Sequence, residues 1–155
     1  MSDLTFRPRG RYFEEFEVGQ SIMTAGRTIT ESDIVNFAGI SGDYNQMHVD
    51  AEYAASGEFG ERVAHGLLIV SITIGLLVQT GVMEGTVLAF RELDWKFSLP
   101  VMIGETIRAM FEITETKALP RLGGGSIVGK VSVLNQDDRV VQRGNIVVLV
   151  RSKPD

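Results

Sequence analysis

Residues 41–68 read SGDYNQMHVDAEYAASGEFGERVAHGLL and continue into IVSITIGLLV at 69–78. The apolar part decides the architecture. No Asp, Glu, Lys or Arg falls between Arg62 and Glu84, and a helix that is apolar around its whole circumference is a buried one. The uninterrupted run from Leu67 to Val78 contains Ser71, Thr73 and Gly75 and is shorter than the roughly 20 residues that a membrane span needs. The expectation is a buried core helix from Val63 to about Thr80, with no membrane partner.

Just upstream lie both histidines of the chain, His48 and His65, and a carboxylate, Asp43, five residues before the first. In a regular helix five residues turn the chain by about 500°, which leaves the two side chains apart. In a strand an odd offset puts them on opposite faces. Asp43 and His48 therefore converge only if the segment between them is irregular, and Gly42 and Asn45 are residues that favour turns. Met47 and Val49 flank His48, so the stretch Ser41–Asp50 reads as a loop held against a core.

The run Gly42-Asp43-Tyr44-Asn45-Gln46-Met47-His48-Val49-Asp50, the pair Phe59-Gly60 and the triplet Ala64-His65-Gly66 share their order and spacing with a known signature. They resemble the GD-x-N-P-x-H-x-D, FG and AHG elements of the MaoC-like, R-specific enoyl-CoA hydratases. Gln46 stands where that family has proline. Tyr12–Gln20, YFEEFEVGQ, is similar to the family's lead-in, and the resemblance extends over about Tyr12–Val150. It implies a hotdog fold, an α+β arrangement in which an antiparallel sheet wraps a long central helix, and a homodimer or higher homo-oligomer. It also implies a hydro-lyase that adds water to a trans-2-enoyl-CoA to give the (R)-3-hydroxyacyl-CoA, or runs the reverse dehydration.

Hydration of a 2-enoyl thioester needs a base for the attacking water, an acid for C2 and dipoles for the enolate oxygen. A carboxylate and an imidazole, with reference pKa values of about 3.9 and about 6.5, can share the first two tasks. On this reading His48 is the base and Asp43 orients the water and exchanges the second proton, although the two could act as a coupled pair. Asn45 could hold the same water or fix the loop. A helix start offers unpaired amides, and the resemblance implies Gly66 as the oxyanion donor. Ala64, His65, Leu67 and Phe97 are taken as substrate contacts. The bland alternatives are a turn role for Asp43, a structural role for His48 and a loop-positioning role for His65. Asp50 reads as the cap of the short helix after it rather than a substrate contact. No cofactor is expected, and the spacing of Asp43, His48 and His65 matches no known metal-ligand pattern. The thioester could be carried by CoA or by an acyl carrier protein. Arg91, Lys96, Arg121 and Lys130 are candidates for the CoA phosphates.

Two other functions compete. A hotdog thioesterase would place a carboxylate on the central helix, and residues 67–79 contain none. A non-catalytic acyl-CoA-binding protein could keep the fold while losing the Asp43/His48 pair.

Composition narrows the field. At 155 residues the chain is one domain by length, 12–152, preceded by a mobile arm over 1–11. A net charge of −5 argues against nucleic-acid binding. The absence of cysteine rules out disulfides and thiolate chemistry. The charged start, MSDLTFRPRGRYFEEF, lacks a signal peptide's apolar region and suggests a cytoplasmic protein.

The remaining elements follow from pattern. Ser21–Ile29 reads as a strand. Thr30 and Asp33 form a capping box for a helix with Ile34, Val35, Phe37 and Ala38 on its apolar face. Thr86–Phe97 reads as a strand whose phase slips between Phe90 and Leu93, as a bulge would make it. Glu105–Lys117 is a further strand, Gly123–Gly125 a flexible connection, and Ser126–Asn135 with Arg139–Arg151 a hairpin.

Overall fold

The computed structural model describes residues 9–154. The order of elements is strand β1 (Ser21–Met23), strand β2 (Arg27–Thr28), helices α1 (Glu31–Ser41), α2 (Gln46–Val49), α3 (Ala51–Ala55) and α4 (Gly66–Gln79), then strands β3 (Val87–Phe97), β4 (Thr106–Leu119), β5 (Gly124–Leu134) and β6 (Val140–Arg151). The strands form one antiparallel sheet in the order β1-β4-β5-β6-β3, with β2 also pairing to β4. Its concave face wraps α4. This is the hotdog fold of the α+β class.

The core lies between α4 and the sheet. Leu68, Ile69, Ile72 and Leu76 of the helix meet Ile107, Ala109, Phe111, Ile113, Ile127, Val131, Val133, Ile146, Val148 and Val150. Over residues 106–113 of β4 and along β5 from Gly125 every second residue points inward, as strand periodicity requires. Thr30 and Asp33 make the capping box read from the sequence: the Thr30 hydroxyl accepts from the Asp33 amide and the Asp33 carboxylate accepts from the Thr30 amide. The β3 irregularity is present too, as a register shift between Phe90 and Glu92 and another between Val87 and Ala89.

Several expectations need correction. The strand read over Ser21–Ile29 is broken at Thr24–Gly26, because the Thr24 hydroxyl accepts from the Ala109 amide and donates to the Ala25 carbonyl. The Ser41–Asp50 loop contains the single turn α2, started by the Asn45 side chain accepting from the Met47 amide. Of the three glycines at 123–125 only Gly123 lies outside the strand, where it turns the chain with a left-handed backbone (φ 70°). Gly124 and Gly125 belong to β5, where the Val150 backbone and the Phe13 ring lie so close that a Cβ would not fit. The central helix begins at Gly66 rather than Val63 and is not buried all round: Leu67, Ser71 and Val78 leave one face open. Of the arm at 1–11, residues 1–8 lie outside the described residues. Arg9 is bonded through its amide and guanidinium to Glu84, and the Arg11 amide donates to the Val82 carbonyl. No helix among the described residues is long and apolar enough to cross a membrane.

Candidate functional site

Gly42 ends α1 in a left-handed conformation (φ 76°), which turns the chain at once into Asp43. The Asp43 carboxylate uses one oxygen, Oδ1, to accept from the Asn45 amide at 3.2 Å. Its other oxygen, Oδ2, lies 4.0 Å from Nε2 of His48. The short helix α2 brings the two together where a longer helix or a strand would have parted them.

His48 is 8% exposed and its orientation is fixed from behind. Its Nδ1 lies 2.7 Å from the Val63 carbonyl. A carbonyl can only accept, so Nδ1 carries a proton, and Nε2 is the ring nitrogen turned towards Asp43. Val63 also donates its own amide to the Met47 carbonyl, which seals the turn. His65, 2% exposed, stacks on His48 with ring centroids 3.9 Å apart. Its Nε2 donates to the Asp43 carbonyl at 2.9 Å. It therefore ties the first half of the motif to the start of α4, while its Nδ1 has no hydrogen-bond partner among the described residues.

His65 is also the residue before α4, and no side chain caps that helix. The first backbone bond comes from the Ile69 amide to the His65 carbonyl. The amides of Gly66, Leu67 and Leu68 are thus left without helical acceptors at the positive end of the helix. Ala64 is anchored by its amide to the Val101 carbonyl at 2.8 Å.

Two cavities meet here. One, of about 450 Å³, is lined by Phe37, Ser41, Asp43, His48, His65, Gly66, Leu67 and Phe97. The other, of about 390 Å³, runs past His48, Gly66 and Phe97 between Phe59, Ile69, Leu99 and Val101. The structure therefore gathers Asp43, His48, His65, Gly66, Leu67 and Phe97 around one cavity and places Ala64 in the wall of the next. Asn45 lines neither cavity, and its carbonyl oxygen is spent on capping α2. Asp50 caps α3 through the Tyr53 amide. Lys96 and Lys130 line a separate hollow with Arg143 and Asp94.

Asp43, His48 and His65 hold three donor atoms within 4.8 Å of one another, a set that could be asked to bind a metal. Each histidine has one nitrogen engaged with a carbonyl. The two rings are stacked 25° from parallel.

Sequence reasoning missed Gln142, which is 2% exposed, reaches the 390 Å³ cavity and donates to the Gly66 carbonyl at 3.2 Å. The signal was available. Gln142 shares strand parity with buried Ile146, Val148 and Val150, so a polar residue sat where the pattern calls for an apolar one.

A family model described as MaoC like domain matches residues 14–133. Protein MaoC of Klebsiella aerogenes is 44% identical over 101 residues, 65% of this chain, which spans 30% of that relative's length. An (R)-specific enoyl-CoA hydratase of Rhodospirillum rubrum is 40% identical over 103 residues, 66% of this chain and 69% of its own. Among solved structures, a monoamine oxidase regulatory protein from Archaeoglobus fulgius superposes with a TM-score of 0.88 at 33% identity, covering 96% of this chain and all of that one.

Proposed function

This chain belongs to the MaoC-like family of dehydratases and (R)-hydratases, and from that membership we propose that it adds water to a trans-2-enoyl thioester to give the (R)-3-hydroxyacyl product, or removes it. The observation that carries the proposal is Nε2 of His48 facing Asp43 Oδ2 at 4.0 Å, beside the unpaired amides of α4. That separation is too long for a direct hydrogen bond and right for a single water held by both.

In the forward direction the thioester oxygen sits against the Gly66 amide, which draws electron density from C2=C3. His48 Nε2 takes a proton from the water as its oxygen bonds to C3. The electron pair of the double bond moves onto the thioester as an enolate, held by the helix amides. Asp43 and His48 then return one proton to C2. The reverse reaction uses the same groups. The acyl chain lies along Ile69, Leu99 and Val101, and the carrier is CoA, with an acyl carrier protein as the other possible bearer of the same thioester. No cofactor takes part.

The reading includes a second copy of the chain. Strand β3 is the last in the sheet and exposes Val87, Leu88, Phe90 and Leu93, and the open face of α4 exposes Leu67 and Val78. An unpaired apolar edge beside an apolar helix face is a surface that a partner must cover. A homodimer through these elements gives a mass in light scattering of twice the 17.0 kDa chain. A monomer at micromolar concentration rejects it.

The deciding assay follows the enoyl-thioester absorbance of crotonyl-CoA with purified protein and then the configuration of the product. Loss of the band with (R)-3-hydroxybutyryl-CoA formed supports the proposal. No loss with crotonyl-CoA or with longer and branched enoyl-CoAs overturns it, and release of free CoA indicates a thioesterase instead.

A further inference from the structure

We infer that Gln142 is a positioning residue for the backbone amides at the start of α4, and that Trp95 fixes the direction in which it works. The inference rests on the hydratase reading above and concerns how the oxyanion donors are held.

Gln142 stands on β6 with its side chain on the concave face of the sheet. Its Nε2 donates to the Gly66 carbonyl at 3.2 Å, and its Oε1 accepts from the Trp95 indole N–H at 2.9 Å. An indole nitrogen can only donate and a backbone carbonyl can only accept. The amide is therefore satisfied in one orientation alone. Turned over, it would set donor against donor and acceptor against acceptor.

The neighbouring side chain completes the grip. Phe97 is the residue opposite Gln142 in the β3–β6 ladder, and its ring lies so close to Gly66 that a Cβ there would come within 2.8 Å of it. Trp95 is two residues along β3, on the same face. One rung of the sheet thus holds Gly66 by the ring of Phe97 against its Cα and by the amide of Gln142 on its carbonyl. The peptide unit is planar, so a hydrogen bond that fixes the Gly66 oxygen also aims the Leu67 N–H, and it steadies the Gly66 Cα, the pivot between that unit and the one that carries the Gly66 N–H. Donors to a developing oxyanion act only if they are aimed before the charge appears. A buried side-chain amide is costly unless bonded, and here both of its ends are.

The test uses full-length protein, crotonyl-CoA and the Gln142→Met variant, which keeps the length of the side chain and removes its polar ends. The expected result is a kcat lower on the order of 10²-fold, the loss that small misplacements near the chemistry produce. KM stays within about threefold, the signature of an interaction made in the transition state. The pH profile keeps its shape because Asp43 and His48 are untouched. The chain has one tryptophan, so its single indole N–H resonance reports directly that the bond to Gln142 is gone while the remaining spectrum stays native. Trp95→Phe, which leaves the amide free to turn over, lowers kcat by a smaller factor, and it decides the matter if Gln142→Met does not fold. Unchanged kcat in a folded variant, or a loss confined to KM, overturns the inference alone. A wild-type chain with no turnover overturns the hydratase reading and this inference with it.

Discussion

Asp43 and His48 each have a backbone bond that fixes the side chain and one atom left over for chemistry, so each can be removed without collapsing its surroundings. Asp43→Asn keeps an oxygen for the Asn45 amide, and His48→Gln keeps a donor for the Val63 carbonyl. Each substitution should lower turnover of crotonyl-CoA by about 10² to 10⁴-fold, the range for general acid–base groups, with the far-ultraviolet spectrum and CoA binding retained. Equal activity in either variant removes that residue from the mechanism. Gly66→Ala is a third test at this scale. An alanine Cβ would press on the half-exposed Phe97 ring, which can swing aside, and alanine favours a helix by about 1 kcal/mol over glycine. The variant should fold while its methyl group obstructs the amide, costing about 10²-fold in kcat; a fully active Gly66→Ala enzyme would place the oxyanion elsewhere. The types of residue at this site were legible because their order in the chain is distinctive. The partners of His48 were not, since Val63 meets it through a backbone carbonyl, which carries no side-chain signal.

At the scale of elements, the sequence was most informative where side chain and backbone bond locally. The Thr30–Asp33 box and the Asp50 cap were both readable because each is completed within three residues. Thr30→Ala should destabilise the protein by about 1 kcal/mol through loss of the cap, measured by urea unfolding; no change in the midpoint would mean that α1 is held by packing alone. The turn α2 was not readable. Four residues are too few to show a helical period, and what fixes them is the distant pairing of Met47 and His48 with Val63. The same holds for Thr24, which breaks the first strand by bonding to Ala109, 85 residues away.

For the whole molecule, one apolar helix followed by four long strands was enough to set the architecture. Hydropathy could not show that α4 would keep an open face, because an apolar residue waiting for a partner looks the same as one facing the core. Two long-range ties also escaped it. The Glu84 carboxylate accepts the Arg9 amide and the Glu14 carboxylate accepts the Lys153 amide. These backbone bonds hold both carboxyls below the ordinary 4.5, against a smaller opposing effect of desolvation. A lowered folded-state value means the ties are complete above pH 4.5 and are lost as pH falls through the lowered values. The Arg9 and Lys153 amide resonances should therefore titrate with midpoints below 4.5, and midpoints at or above it would sink the account.

Those ties also give the molecule a handle. Arg9 is fastened beside Val82 and Glu84, just past the last turn of α4, and Lys153 is fastened to Glu14, two residues after the Arg11–Tyr12 step and close to the Thr86–Arg151 pairing. Both attachment points belong to the end of the helix opposite His48. The 14 residues of α4 put about 20 Å between that end and Gly66. The chain has no cysteine, so a single cysteine placed at Arg9 or at Lys153 would carry a dye or a surface linker at the pole away from the cavity, and the protein could be immobilised there with its chemistry facing outward.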